Sequence, residues 1–330
     1  MSTWAEKWGR LAKALRGVEK QFGKGTAVQL DGQVASGRTE AVPSGSLLLD
    51  RALGCGGYPR GRITELFGHE SSGKTSLALQ SMACTQAQGG LVAFVDAEHA
   101  LDLAYAQRLG VQTDKLVLIQ ASTAEQTWEV VRCLLEDKAL DFIVVDSVAA
   151  LLPKAELESE QPLPGLLHAQ VLSHAIRKLT GPLAASACAM LLLNQLRYTT
   201  PSPGTSSANT SPGTLATPGG VALKFFSSLR CHVENVQLLK SGTSAVGMRL
   251  RVSVLKNKCA PPAEPVEIEM SFSKGICKAA EALELGRRDN KIVHSEEGLF
   301  FGKLCLGKTQ QEAVHFLKTH PKELDELVSL

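Results

Sequence analysis

Residues 68–77 read GHESSGKTSL, directly after the apolar run RITELF at 62–67. The spacing fits G-x-x-x-x-G-K-S/T, with a strand pattern before it and a helical pattern, TSLALQSMACTQAQ (75–88), after it. Residue frequencies alone produce the bare spacing in roughly one chain of this length in a hundred, so the flanking strand and helix are what make it specific. Gly68 and Gly73 let backbone N–H groups turn inward around phosphate oxygens. Lys74 brings a charge to the β and γ oxygens, and the Thr75 hydroxyl can ligate Mg²⁺. The stretch predicts a nucleotide site at the end of a strand that feeds a helix.

Outward from this loop the same alternation continues. LVAFVD (91–96), KLVLIQ (115–120), DFIVVD (141–146) and AMLLLNQ (189–195) are short apolar runs of the kind buried strands show, separated by helical patterns. Alternation of this kind predicts an α/β domain around a mostly parallel sheet. From 230 to 272 the pattern is strand-like throughout (HVENVQLL, MRLRVSVLKN, VEIEMSF), which predicts antiparallel strands at the sheet's end. From about 275 short helical pieces surround IVHSEEGLFFGK, the pattern of a small α+β domain. At the other end, Trp4, Trp8, Leu11, Leu15, Val18 and Phe22 recur at spacings of four and three, the stripe of an amphipathic helix that QFGKG stops. The expected division is therefore 1–33 for the helix and its linker, 34–273 for the core and 274–330 for the small domain.

Composition narrows the functional classes. The chain has 330 residues, 44% hydrophobic and 21% charged, and no run approaches the ~20 apolar residues of a membrane span. The start, MSTWAEKWGRLAKALRG, has neither a signal-peptide core nor a cleavage site, so a cytoplasmic protein without membrane partners is expected. Eight cysteines are scattered with no CxxC, which argues against structural zinc and for reduced thiols packed in the core. A net charge of +2 leaves nucleic-acid binding to local patches. Between Tyr198 and Gly220, 18 of 23 residues are Pro, Gly, Ser or Thr and none is charged. A loop this long is functional or a passive insertion, and composition alone leaves both open.

Two carboxylates complete the candidate chemistry. Asp146 ends the buried run DFIVVD, where an acid can support a bound metal. Glu98 lies just past the run ending at Asp96, where the carboxyl edges of open α/β sheets gather ligands. A carboxylate there can orient and deprotonate a water; an acid opening the helix ALDLAYAQRLG is an equally compatible duty.

The segments EKQFGKG (19–25), PSGSLLLD (43–50), GHESSGKTS (68–76), VDAEHALD (95–102), VVDSVAALLPKAE (144–156), IRKL (176–179), NQLR (194–197), TPGGVALKFF (217–226) and VLKNKCA (254–260) resemble the bacterial RecA recombinase family in order and spacing. The resemblance covers about residues 12–275 well. It implies a RecA-type P-loop core that binds ATP and Mg²⁺, with Gly68, His69, Glu70, Ser71, Ser72, Gly73, Lys74, Thr75 and Ser76 around the nucleotide and Thr75 and Asp146 at the metal. Glu98 would activate water, and Lys74 and Gln195 would complete the catalytic set, Gln195 sensing the γ-phosphate. Asp102 and Tyr105 would lie at the nucleotide, Tyr105 stacking on adenine. Lys256 and Lys258 would reach the ATP of an adjacent subunit.

The same resemblance implies DNA loops near 158–167 and 197–220, with Arg177, Arg197, Tyr198, Gly219 and Gly220 as DNA-binding residues. Its partners would be single- and double-stranded DNA and further copies of the chain in a helical filament, docked through the N-terminal helix. A LexA-type repressor of the DNA-damage (SOS) response is left open as another. The departures concentrate in the loops. The first reads ESEQPLPGLLHAQ, with two prolines and no basic residue, and Gln170 stands where the family usually has arginine. The second is longer than usual, and the chain ends on ELDELVSL rather than an acidic tail. The expected function is an ATP-dependent recombinase that pairs and exchanges homologous strands. The alternatives are a RecA-like paralogue that regulates repair and a P-loop kinase for a small metabolite.

Overall fold

The strand before the glycine loop, Ile63–Gly68 (β1), is buried at every residue and lies at the middle of a nine-stranded sheet. The computed structural model describes residues 3–23, 26–27, 39–159, 166–198, 215–295 and 297–329. The other sheet strands are Val92–Asp96 (β2), Leu116–Ile119 (β3), Phe142–Asp146 (β4), Ala189–Gln195 (β5), Leu229–Ser241 (β6), Ser244–Asn257 (β7), Val266–Ser271 (β8) and Gly275–Ile276 (β9). Their spatial order is β9-β8-β7-β6-β1-β5-β4-β2-β3. From β6 through β1, β5, β4 and β2 to β3 every pairing is parallel. From β6 to β9 every pairing is antiparallel, as the change of pattern after residue 230 predicts.

Both faces of the parallel part are covered, which is why its runs are apolar without alternation. In β4, Phe142 and Val144 join one core with Leu66, Phe94 and Leu191, while Ile143 and Val145 join another with Trp128, Ile176 and Leu192. The first core is closed by helices Leu47–Leu53 (α2) and Lys74–Ala87 (α3); the second by Ala124–Glu136 (α5) and Leu166–Ser186 (α6). A short helix, Leu103–Arg108 (α4), lies between them in sequence. One expectation needs correcting. KLVLIQ is not buried like the other runs, because β3 is an edge strand and Val117 and Leu118 are exposed.

Met1–Arg38 is one of two units of the chain. Its helix Trp4–Phe22 (α1) opens on a capping box, Thr3 with Glu6, and ends at Gly23 with φ 93°. No residue of α1 is buried, and Trp4 and Trp8 stack at 5.2 Å between ring centroids. The stripe thus exists as predicted.

In the unit Thr39–Leu330, the small domain is a three-stranded antiparallel sheet, Ile292–Ser295, Gly298–Phe301 and Leu304–Gly307, with helices Lys278–Arg288 (α8), Gln310–Thr319 and Pro321–Ser329. It has its own apolar cluster, including Leu283, Leu299, Leu306 and Leu317. Glu281 of α8 joins it to the core by accepting from the Ser46 hydroxyl and the Leu47 N–H, each at 2.7 Å, at the start of α2. Nearby, Asp50 accepts from the Ser44 N–H at 2.8 Å. Burial is the main cause that pushes each carboxyl up to about 7, and each also feels the other's field or another carboxylate's.

A carboxyl raised on folding stabilises the fold at low pH, and that contribution is lost as pH rises through the folded value. For Glu281 the window runs from its ordinary 4.5 to about 7, a change of about 3 kcal/mol. In urea unfolding between pH 5 and 8, wild-type stability relative to Glu281→Gln should therefore fall as pH rises. A pH-independent difference would show that this carboxyl does not change protonation on folding.

The cysteines also depart from expectation. Cys84, Cys188 and Cys231 are buried, Cys55, Cys259 and Cys277 half-buried, and Cys133 and Cys305 exposed. Most of the predicted first loop (residues 160–165) and second loop (199–214) lies outside the described residues. Among the described residues, no helix is long and apolar enough to cross a membrane.

Candidate nucleotide site

The loop between β1 and α3 needs its glycines for different reasons. A Cβ on Gly68 would lie 2.1 Å from the Val233 carbonyl oxygen, because β6 runs alongside. Gly73 has φ 89° and is the N-cap of α3, with no side chain capping the helix. The first amides of α3 are thereby left to an anion, where the helix dipole also favours negative charge. Residues 71–76 and Met248 line a cavity of about 260 Å³ there. A larger cavity of about 690 Å³ lies between α5 and α6, lined by apolar Trp128, Val171 and Leu179 together with charged Glu129, Arg132 and Lys178.

Lys74 is buried within the loop and donates to the carbonyls of His69 (2.7 Å) and Gly68 (3.2 Å) and to Ser72 Oγ (3.3 Å). Desolvation lowers its pKa, against the pull of Asp146, Glu98 and Glu70. A buried ammonium of this kind gains from an arriving phosphate. Thr75 Oγ1 donates to Asp146 Oδ2 at 2.6 Å, so two hard oxygen ligands stand side by side, the donor set Mg²⁺ takes. Burial pushes the Asp146 carboxyl up to about 6, partly offset by the Thr75 bond. These residues fit a magnesium–nucleotide.

Glu98 lies in the segment after β2, before α4 begins, so it does not open that helix; Asp102 does, accepting from the Tyr105 N–H at 2.9 Å. Glu98 Oε1 accepts from Ser147 Oγ at 2.5 Å and from Gln195 Nε2 at 3.0 Å. The candidate base and the candidate γ-phosphate sensor are thus in direct contact. The Tyr105 hydroxyl donates to Ser76 Oγ at 2.9 Å, which holds the ring beside α3, and Arg108 lies 5.6 Å from the ring centroid.

Other candidates fall elsewhere. Lys256 Nζ donates to the carbonyls of Lys224 (2.6 Å) and Phe225 (3.0 Å), and Lys258 Nζ to Phe225 (3.2 Å). These carbonyls end the helix Gly220–Phe226 (α7), where cations are favoured. Lys256 faces Arg230, which faces Glu65, three residues before Gly68. The lysines therefore sit about 10 Å back along the sheet from the glycine loop, and two strands across. Arg177, Gly219 and Gly220 do share a feature, a groove of about 380 Å³ between α6 and α7. Arg197 opens a short pairing with Leu215–Ala216; the Tyr198 side chain lies outside the described residues.

Several partners were missed in the sequence. Ser147 is one. Asp96 is another: its oxygens accept from the Ala100 N–H (3.0 Å) and Gln120 Nε2 (3.2 Å), fixing the segment that carries Glu98. Buried Asn194 donates to Glu65 Oε1 and to the Pro218 carbonyl, each at 2.9 Å. Glu65 in turn pairs with Arg230 at 2.5 Å. Asp96 and Asn194 stood inside quoted motifs, yet only the strand register brings their partners to them.

Fold and site together define an α/β nucleotide-binding protein of the P-loop class, with its phosphate loop at the carboxyl edge of a central strand. The family model for the RecA N-terminal domain matches residues 9–277. Protein RecA 1 of Myxococcus xanthus is 42% identical over 99% of this chain and 94% of its own length. Protein RecA of Oceanobacillus iheyensis is 45% identical over 96% and 89%, and that of Thermus thermophilus 45% over 96% and 92%. The chain belongs to the RecA family and is a RecA recombinase, an ATPase of recombination and repair. Nothing in these comparisons favours the regulatory paralogue.

Proposed function

We propose that this recombinase binds MgATP at Gly68–Ser76 and uses hydrolysis to switch a filament on single-stranded DNA between tight and loose states. The contact of Glu98 with Gln195 carries the reading. Phosphate would be held by the free amides of α3 and by Lys74, and magnesium by Thr75 and Asp146. When bound, the ion would neutralise charge on the β and γ oxygens. Glu98 takes the proton of the attacking water, with Ser147 orienting its carboxylate. Gln195 releases Glu98 when a γ-phosphate offers its side-chain amide a stronger acceptor.

That movement has a route outward. Gln195 adjoins Asn194, and Asn194 holds the Pro218 carbonyl, where the second loop rejoins the fold. Arg177, Arg197, Tyr198, Gly219 and Gly220 form the DNA surface in this reading. Lys256 and Lys258 act on the ATP of the next subunit, and α1 docks on a neighbouring subunit. The parts are then 1–33 for assembly, 34–273 for ATP and DNA, and 274–330 as the small domain, in a cytoplasmic protein. A LexA-type repressor is a further partner of the filament.

Strand exchange between homologous DNAs by the purified protein is the test. ATP-dependent joint molecules and completed exchange are expected. DNA-stimulated ATP turnover with no exchange at any protein concentration would refute this reading.

A further inference from the structure

Cys55 lies in the turn just after the α2 C-cap Gly54, and Cys259 lies two residues past the end of β7, next to Lys258. The two segments are laced together. The Asn257 side chain donates to the Leu53 carbonyl at 3.1 Å, and its oxygen accepts from the N–H groups of Cys259 (2.8 Å) and Ala260 (3.0 Å). They touch closely enough that a Cβ on Gly54 would lie 2.2 Å from the Ala260 Cβ. The two thiols lie in this seam as interacting neighbours, with Cys55 Sγ donating to the Gly57 carbonyl at 3.2 Å. Both are half-buried. Burial first, and then the neighbouring Cys259 thiol, push Cys55 up to about 11.

We propose that Cys55 and Cys259 are a reversible thiol–disulfide pair whose closure holds Lys256 and Lys258 on the carbonyls that end α7. A hydroperoxide is the oxidant. The Cys259 sulfur attacks the peroxide oxygen and breaks the O–O bond, giving a sulfenic acid at Cys259 and releasing an alcohol, or water from hydrogen peroxide. The Cys55 sulfur then displaces the sulfenic hydroxyl, which leaves as water with the Cys55 proton as the S–S bond forms. Two electrons pass from the pair of sulfurs to the peroxide, and a dithiol returns them. Burial disfavours the Cys55 thiolate, the nucleophilic form, so Cys55 takes the second, resolving step. The second half of the proposal rests on the reading of Lys256 and Lys258 as groups acting on a neighbour's ATP. To do so they must leave the Lys224 and Phe225 carbonyls, and a bond at the residue after Lys258 opposes that movement.

The experiment uses the full chain, reduced, then treated with hydrogen peroxide and digested without reductant. Mass spectrometry should find the peptides containing Cys55 and Cys259 joined, lighter than their sum by the two thiol hydrogens. DNA-stimulated ATP turnover should fall severalfold in wild type, return with dithiothreitol, and resist peroxide in both Cys55→Ala and Cys259→Val. Absence of the joined peptide overturns the thiol pair. A joined peptide with unchanged turnover overturns the hold on the lysines. An equal loss in the two variants assigns the sensitivity to another thiol, such as exposed Cys133 or Cys305, and also overturns the proposal. Reduced protein with no DNA-stimulated turnover would refute the proposed function instead, while the peptide map would still decide the pair.

Discussion

Glu98→Gln should lower ATP turnover by roughly 10²-fold or more while leaving nucleotide affinity close to wild type. Glutamine has the same size, and its carbonyl can still accept from Ser147 and Gln195, as Glu98 Oε1 does. What it loses is the ability to take a proton. The binding groups stay in place: the uncapped start of α3, Lys74, and the Thr75–Asp146 pair. A hundredfold corresponds to about 2.7 kcal/mol of transition-state stabilisation, within the range of a positioned base. Asp96, the other acid at this strand end, is already engaged through both oxygens, with the Ala100 and Leu101 N–H groups of the segment it anchors and with Gln120 Nε2, so it positions rather than reacts. Ser147→Ala should cost less than Glu98→Gln, because it leaves the base present but less firmly oriented. Phosphate release at saturating ATP and DNA, with nucleotide affinity measured separately, decides the matter. Wild-type turnover in Glu98→Gln would remove Glu98 as the base.

The parts of this site that could be read from the sequence are those whose signal is local. Two glycines, a lysine and a threonine within eight residues announce the phosphate loop, and an acid closing an apolar run announces Asp146. Glu98 was legible only as one of two duties, since position past a strand end fits a base or a helix cap. The structure separates them, because Asp102 caps α4 and Glu98 does not. The contacts among these groups were not legible. Ser147 reaches Glu98 only because β2 and β4 are neighbours with Asp96 opposite Asp146. Glu281 meets Ser46 across 235 residues of chain, a pairing no local pattern encodes. KLVLIQ misled for a similar reason. An apolar run shows β propensity, but its place at the sheet's edge is decided by the strand order.

Replacing both Lys256 and Lys258 by alanine should lower DNA-stimulated turnover by roughly 10²-fold, the scale expected when preorganised positive charge at a reacting phosphate is removed. Nucleotide affinity of the isolated subunit should barely change. Within one subunit the lysines are spaced away from the glycine loop, held by the carbonyls that end α7. Desolvation and the nearby charges of Lys258 and Arg230 already lower the Lys256 pKa, so an anionic partner would be welcome there. If that partner is a neighbour's ATP, the defect belongs to the interface and not to the subunit that carries it. Mixing supplies the test. Lys74→Ala lacks a working phosphate loop but presents intact lysines, whereas the double variant has an intact loop and lacks the lysines. Where a Lys74→Ala subunit offers its lysines to the nucleotide of a double-variant subunit, a complete site is rebuilt. Neither protein alone should turn over ATP well, and the mixture should recover activity, with an optimum near equal amounts of the two. No recovery at any ratio would mean that the lysines act within their own subunit or serve only to hold α7.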